Sequence, residues 1–279
     1  MRPDFQLRPT LLVAVAAIAL AATPALGETA KEKRDAGKIT PQEIILEAQR
    51  ISRFQGAEMI VSLTVINPAG QKRIYKTAGV SKLFNNDETE KRLLRFIIPA
   101  ENKGMGMLTF DHTSKADDIW LYLPQQRKTR RVISSSKTSS FMGSEFTYAD
   151  MTPPSPDEYN WKILDKKAKV GGVECWRLES IPKTEDIAET IGYSKKNIWI
   201  DKNFLIRQTH YYDLSGDLIK KLAAKDIREL DKKAHRFRPM ILHMSNVQNK
   251  RQTILKTEKF KLRRDIPDSY FTTRYLERP

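Results

Sequence analysis

The sequence predicts a mainly β protein, in which one curled antiparallel sheet has an N-terminal helix and a loop covering its concave face. Two observations predict this fold class. Apolar and polar residues alternate in short segments from Met59 to Phe260, and Gly, Pro, Asn or Asp separate these segments at hairpin spacing. The chain also has too little helix to cover a large sheet. Because such a sheet must bury one face, we expect it to curl on itself.

The first 27 residues have the features of a signal peptide. An apolar run from Leu11 to Ala22 follows two arginines, and Ala25 and Gly27 supply the small residues that a signal peptidase requires. The run is shorter than the ~20 residues of a membrane-spanning helix. A retained membrane anchor is the alternative. We expect an exported, periplasmic protein that is cleaved near Gly27 and begins at Glu28.

The charge balance restricts the partners. The chain has 49 Lys and Arg against 34 Asp and Glu, a net charge of +15, and loss of residues 1–27 removes two arginines and one aspartate and leaves +14. In a cytosolic protein this excess indicates nucleic acid. Export excludes nucleic acid and leaves an anionic membrane surface, lipid headgroups or acidic proteins. Cys175 is the only cysteine, so no intramolecular disulfide can form, and we expect it to be buried in a strand.

The elements follow in chain order. Residues 28–39 are charged and lack apolar periodicity, which predicts a disordered leader, and residues 40–279 have the length of a single domain. Thr40 and Glu43 form a capping-box pattern before an amphipathic helix that runs to about Phe54. Roughly eleven to thirteen short strands come next, and a short helix or packed tail ends the chain.

The segment 134–156 interrupts the alternation. Its first half is rich in serine and cannot pack, so we expect it to be mobile, whereas Phe141, Met142 and Phe146 are too apolar to remain in water. These three residues are expected to anchor the loop at the mouth of the curled sheet. The loop is either a gate that opens for a ligand or a segment fixed to the rim. A gate would gain protection from hydrogen exchange when a ligand binds.

An apolar concavity inside the curled sheet suits an acyl chain. The predicted ligand-binding residues lie on the more apolar sides of alternating strands or in the loop: Met59, Val61, Leu63, Phe96, Leu121, Phe141, Met142, Phe146 and Met244. A fully packed interior would give the same sequence pattern. The side chosen for Leu121 depends on its flanking Trp120 and Tyr122, which make the other side of that strand apolar too.

The sequence lacks the motifs of common catalytic sites. It has no Gly-x-Ser-x-Gly, no phosphate-binding loop and no Gly-x-Gly-x-x-Gly. The four histidines do not fall at metal-ligand spacing. We therefore expect neither an enzyme nor a metal or cofactor.

The strongest charge feature is the run Arg127, Lys128, Arg130 and Arg131. Positive charge of this kind protects an edge strand from pairing with other chains. It also provides a docking patch for an acidic partner or for anionic lipid. Both interpretations fit the sequence.

The centre of the chain resembles the outer-membrane lipoprotein-sorting (LolA-like) family. The resemblance rests on Ile119-Trp-Leu-Tyr-Leu-Pro124, on Arg130-Arg131-Val132 and on Met142-Gly-Ser-x-Phe-x-Tyr-x-Asp150, and it extends over residues 57 to 276. It is closer to the broad family than to the dedicated lipoprotein chaperone. The resemblance implies an incomplete β-barrel with helical lids and the handling of lipid or lipidated protein in the periplasm.

The predicted function is therefore a non-enzymatic periplasmic carrier of lipid or lipoprotein acyl chains. The resemblance also implies work with an inner-membrane lipid exporter, since members of the broad family often accompany one. The alternative is a periplasmic sensor or adaptor module that regulates an inner-membrane partner.

Overall fold

The computed structural model describes residues 39–113, 115–152 and 155–278. The predicted signal peptide (1–27) and nearly all of the predicted leader (28–39) lie outside the described residues. The predicted start of the domain at residue 40 stays a prediction. Within the described part, no helix is long and apolar enough to cross a membrane.

Helix α1 (Pro41–Ser52) begins at the predicted capping box. The Thr40 N–H donates to Glu43 Oε2 (2.8 Å) and the Glu43 N–H donates to Thr40 Oγ1 (3.2 Å), so two of the free N–H groups at the helix start are satisfied. The buried residues Ile44, Ile45, Ala48 and Ile51 recur at helical spacing on one side. The helix ends two residues earlier than predicted.

Thirteen antiparallel strands form one sheet, which confirms the predicted fold class. Their bounds are β1 Gly56–Ile66, β2 Lys72–Phe84, β3 Thr89–Ile98, β4 Gly106–His112, β5 Asp118–Leu123, β6 Lys128–Arg131, β7 Tyr159–Val170, β8 Val173–Pro182, β9 Lys195–Asp201, β10 Ile206–Tyr212, β11 Leu218–Asp231, β12 Arg236–Asn246 and β13 Gln252–Leu262. The spatial order is β6-β5-β4-β3-β2-β1-β13-β12-β11-β10-β9-β8-β7. Because β6 and β7 are the two edges, the sheet is not a closed barrel.

In this order, the chain between β6 and β7 connects the two edge strands of the sheet. The connecting segment, residues 132–158, must pass from one edge of the sheet to the other. It contains short 3₁₀ turns, among them Phe141–Gly143 and Tyr148–Met151, which the sequence does not predict within the anchored loop. It packs on the same face of the sheet as the end of α1, which we call the α1 face.

The opposite face is covered in part by the chain terminus. Residues Ile266, Phe271 and Leu276 pack with Leu93 and Leu108 in one hydrophobic cluster. A short helix α3 (Thr273–Leu276) lies in this stretch. It agrees with the short helix or packed tail predicted at the end of the chain. We call this side of the sheet the C-terminal face.

A second short helix, α2 (Glu185–Ile191), has no counterpart in the sequence-based prediction. None of its residues is buried, and its apolar residues Ile187, Ala188 and Ile191 form only a short, half-buried stripe. Thr184 caps its first turn, and Gly192 ends it with a φ of 77°, a conformation that glycine adopts without strain.

Candidate functional site

The strand register places the six strand residues of the predicted cavity on the α1 face. Met59 is paired with Gly79, Val61 with Thr77 and Leu63 with Tyr75, and Phe96 is paired with Thr77 on the next strand. Leu121 lies opposite Met107, and Met244 lies opposite Thr253. Directly opposed residues of an antiparallel pair project to the same side. The register therefore places all six on one side of the sheet, and their role as a ligand-binding surface stays a prediction.

The connecting segment fills the middle of this face with its own side chains. Phe141 and Phe146 are buried among Leu63, Phe96 and Met244, and Met142 packs against the same cluster. The Phe141 and Phe96 ring centroids are 6.1 Å apart. Phe141 and Phe146 are buried and Met142 is partly buried, as their apolar character predicts, while their place at the mouth of a ligand cavity stays a prediction. In this conformation the predicted concavity is occupied by the protein itself.

A buried ion pair holds the connecting segment to the sheet. Lys220 of β11 donates from Nζ to the Glu145 carbonyl oxygen (2.8 Å) and to Asp150 Oδ2 (3.1 Å). The Tyr193 hydroxyl donates to the same carboxylate (3.0 Å), and so does the Thr147 N–H (2.9 Å). The side chains of Lys220 and Asp150 are 5% and 2% exposed, so this pair is screened little by water. We call these contacts the Asp150 latch.

A second lysine faces the latch. Lys196 Nζ lies over the rings of Tyr193 and Tyr211, 5.0 and 5.1 Å from their centroids. Burial lowers the pKa of Lys196, although the Asp150 carboxylate opposes this change. Burial also raises the pKa of both tyrosines well above the ordinary value, with the Asp150 charge acting in the same direction.

A further set of contacts fixes the connecting segment at Glu145, five residues before Asp150. The Glu145 N–H donates to Thr253 Oγ1 (2.9 Å), and its carboxylate accepts from Asn246 Nδ2 (2.8 Å). Arg251 forms an ion pair with Glu145 (3.0 Å). Strands β12 and β13 and the turn between them therefore hold the segment on one side of Phe146, while the latch holds it on the other.

The segment is also linked to the end of α1. Arg92 of β3 donates to the Met151 carbonyl oxygen (2.8 Å) and lies 3.6 Å from Asp111 Oδ2. Arg53, the residue after α1, donates to the other oxygen of Asp111 (3.1 Å). Because Asp111 is buried between two arginines, the helix end and the connecting segment share one charged cluster.

The Asp150 latch predicts a pH dependence. Burial opposes ionisation of Asp150, but the charges of Lys220 and Lys196 outweigh it and hold its pKa below the ordinary value. A lowered carboxyl pKa stabilises the folded state above the unfolded-state pKa of about 3.9, and this contribution is lost as the pH falls through the folded-state pKa. The difference in unfolding free energy between wild type and Asp150→Asn, measured in urea, should shrink over that window. A difference that stays constant from pH 7 to pH 2 would contradict the assignment.

The predicted partner-binding residues lie on and beside edge strand β6. Arg127, Lys128, Arg130 and Arg131 are all exposed. Arg131 pairs with Asp118 of the neighbouring strand, and Arg130 donates to Gln126 Oε1 (2.8 Å). Their position fits both edge protection and docking, so the partner role stays a prediction.

A groove of about 870 Å³ lies mainly on the C-terminal face. Its apolar and aromatic side chains include Ile60, Ala78, Val80, Leu93, Tyr270 and Tyr275, and its charged ones are Glu58, Arg95, Arg228, Glu258, Lys259 and Lys261. Of the predicted cavity residues, Met59 alone is among its lining. The six charged side chains make this groove less suited to an acyl chain than the α1 face.

Sequence reasoning missed the residues of the latch. Asp150 lies in a motif of the family resemblance that assigns it no role, and the sequence-based prediction includes none of Lys196, Lys220, Tyr193 and Glu145. One signal was available: Lys196 is in phase with Ile198 and Ile200, which are buried. A lysine in phase with buried apolar positions of a strand indicates a buried cation that requires a partner.

The chain is similar to known families and structures. A family model described as "Uncharacterized protein" matches residues 88–278. An outer membrane lipoprotein-sorting protein domain from Vibrio parahaemolyticus is 27% identical, with a TM-score of 0.77, over 85% of this chain and 98% of that one. No curated protein matches the sequence.

Two further solved structures share the fold. A DUF1329 family protein from Desulfovibrio piger is 23% identical, with a TM-score of 0.77, over 85% of this chain and 97% of its own. A LolA superfamily protein from Nitrosomonas europaea is 21% identical, with a TM-score of 0.64, over 85% of this chain and all of its own. The similarity therefore extends over nearly the whole of each of these relatives.

Proposed function

We propose that this chain, a LolA-like family member, is a non-enzymatic periplasmic carrier of lipid or lipidated protein. The acyl chain binds on the α1 face. The connecting segment moves away to admit the acyl chain. The acyl chain then replaces Phe141 and Phe146 among the strand residues. The carrier-type fold is the general part of this account; the ligand and its position are the proposal.

One observation supports the position of the ligand. The apolar cluster of the α1 face is completed by Phe141 and Phe146, which belong to a segment that joins the two open edges of the sheet and not to any strand. Side chains supplied by such a segment can be exchanged for a ligand without breaking the hydrogen bonds between strands. The strand residues that remain are apolar and lie on one surface.

The energies are compatible with reversible binding. About fourteen buried methylenes of an acyl chain gain roughly 11 kcal/mol, at ~0.8 kcal/mol each. Exposing two phenylalanines costs roughly 3–6 kcal/mol. Association also costs translational and rotational freedom, which reduces the net gain and keeps the binding reversible. The charged contacts of Asp150 must be replaced as well.

Substitutions on the two faces test the position of the ligand. Leu63→Glu places a charge in the centre of the α1 face and should abolish binding of a fluorescent fatty acid. Since Leu63 is only 4% exposed, this variant must first be shown to fold. Leu121→Trp, at a half-buried position on the same face, narrows the site with less risk to the core and should weaken binding by about tenfold, or ~1.4 kcal/mol.

Ala78→Trp is the matched control, because it fills the groove on the C-terminal face instead. The proposal requires that this variant binds fatty acid as wild type does. Loss of binding in Ala78→Trp, with binding retained in folded Leu63→Glu and Leu121→Trp, would place the ligand in the groove and contradict the proposal.

The exposed basic run beside β6 supports a second candidate function, a sensor or adaptor that docks on an inner-membrane partner or on the anionic membrane surface. In that case, replacing Arg127, Lys128 and Arg130 with serine would abolish docking and leave fatty acid binding unchanged. Within the carrier proposal the same run is the contact with an inner-membrane lipid exporter. A carrier is distinguished by transfer of its lipid to acceptor vesicles.

A further inference from the structure

We infer that the ligand carries an anionic headgroup, and that Lys196 and Lys220 bind this group in the place that Asp150 occupies in the structure. The inference rests on the proposed function, because it names the class of lipid that the α1 face accepts. The shared chemistry is a carboxylate or a phosphate attached to an acyl chain.

The charge balance around the latch is the first argument. Lys220, which is buried, and Lys196, which is half-buried, face a single carboxylate, that of Asp150, and Glu145 is already paired with Arg251. Lys220 takes the close contact at 3.1 Å. Within the described part of the chain, Lys196 Nζ has no hydrogen-bond acceptor; it lies over two aromatic rings and is attracted by the Asp150 carboxylate that Lys220 already contacts. A half-buried cation of this kind, partly removed from water, is stabilised when a further negative charge or acceptor reaches it.

The second argument is the geometry of the groups that hold the carboxylate. Lys220 lies on β11, Lys196 on β9 and Tyr211 on β10, and Tyr193 precedes β9. None of these four residues belongs to the connecting segment. They therefore stay in place when that segment withdraws. Two ammonium groups and the Tyr193 hydroxyl then remain as donors around one position. This arrangement suits a carboxylate or phosphate, whose charge-assisted hydrogen bonds are the strong ones.

The third argument is the position of these donors beside the apolar surface. Tyr193 and Tyr211 belong to the same buried cluster as Phe96, Phe141 and Phe146. A ligand whose chain replaces the two phenylalanines therefore has its headgroup next to the lysines. Asp150 is bound to the site through its own chain and competes with the headgroup at high effective concentration. Removing that carboxylate should make the site more available to an external anion.

Ligands matched in chain length and different in charge test the inference. Hexadecanoate is compared with hexadecanol, and phosphatidylglycerol with diacylglycerol, on the full mature chain. Wild type should prefer the charged member of at least one pair by about tenfold. The pair that shows the preference identifies a carboxylate or a phosphate as the headgroup.

Three variants separate the contributions. Lys196→Met should bring the ratio of the affinities for the charged and the neutral ligand towards one. It removes the cation that lacks an acceptor and leaves the Lys220 contacts intact. Asp150→Asn should increase the preference. Lys221→Met, a change of the exposed neighbour on the same strand, should leave it unchanged and controls for net charge.

The outcomes are distinguishable. Equal affinity for the charged and the neutral member of each pair, in wild type and in Lys196→Met alike, would overturn the inference of an anionic headgroup. The proposed acyl-chain carrier would remain supported. A preference that survives in Lys196→Met and in Lys220→Met would overturn it too, since another site would then bind the charge. If no member of either pair binds, the proposed function fails, and the inference fails with it.

Discussion

Lys220→Met is expected to lower the free energy of unfolding by about 3–5 kcal/mol, the usual cost of removing one partner of a buried ion pair. The change deprives the Asp150 carboxylate of its closest cation and the Glu145 carbonyl oxygen of its donor. The methionine has a similar length, so little of the loss should come from packing. Urea unfolding of the purified protein measures the effect. Hydrogen exchange should rise first in residues 145–150, where the lost contacts lie.

Lys221→Met provides the control for this prediction. Lys221 is the next residue on β11, is exposed and projects to the other side of the strand. The two variants change the net charge equally, so any difference between them comes from the latch. Losses of similar size in both variants would show that Lys220 contributes only to surface charge.

Phe146→Ala is expected to cost about 3–5 kcal/mol, as is usual for a buried phenylalanine truncated to alanine. The side chain is 3% exposed, and it lies between the Glu145 contacts and the Asp150 latch. The remaining hydrogen bond from the Phe141 N–H to the Phe146 carbonyl oxygen (2.8 Å) cannot replace the lost packing. Thermal or urea unfolding gives the size of the loss. Fatty acid binding should become tighter, because less apolar surface must be displaced.

Ile133→Ala is the matched variant in the same segment. Ile133 is 61% exposed, so the change should cost less than about 0.5 kcal/mol and leave binding unchanged. If Phe146→Ala weakens binding while the protein remains folded, then Phe146 contacts the bound ligand. In that case the ligand does not displace it.

Much of the fold is visible in the sequence because it depends on local patterns. The start of α1 is determined by Thr40, Pro41 and Glu43, and its buried side by apolar residues at helical spacing. The strands are marked by alternation, which also gives the correct side for Leu63 and Phe96. Helix α2 is not visible in the sequence because its apolar residues Ile187, Ala188 and Ile191 span only one helical turn, too short to establish a period.

The candidate site is less visible because it is made by contacts between distant parts of the chain. Asp150 and Lys220 are 70 residues apart in sequence, and Glu145 and Asn246 are 101 apart. No local pattern predicts that the first and last strands pair, or that β6 and β7 become the edges that the connecting segment joins. Composition predicted that Phe141 and Phe146 are anchored, but only the strand order shows which face receives them.

The strand order also changes the expected behaviour of the loop. From the sequence, a gate is expected to gain protection when a ligand binds, because it closes over the ligand. In the structure, Phe141 and Phe146 already occupy the α1 face, and the segment is fixed by Asp150 and Glu145. A ligand on this face must displace them, so the expected change in protection has the opposite sign.

Hydrogen exchange across residues 141–150, with and without a saturating fatty acid, tests most directly whether the acyl chain binds beneath the connecting segment. The amides of Phe141, Ser144 and Tyr148 are hydrogen-bonded within the segment, and residues 266–276 of the C-terminal face serve as the internal reference. If the acyl chain displaces the segment, residues 141–150 exchange faster when the ligand is bound, and the reference does not change. Unchanged exchange in 141–150, under conditions where binding is independently measured, would contradict this displacement.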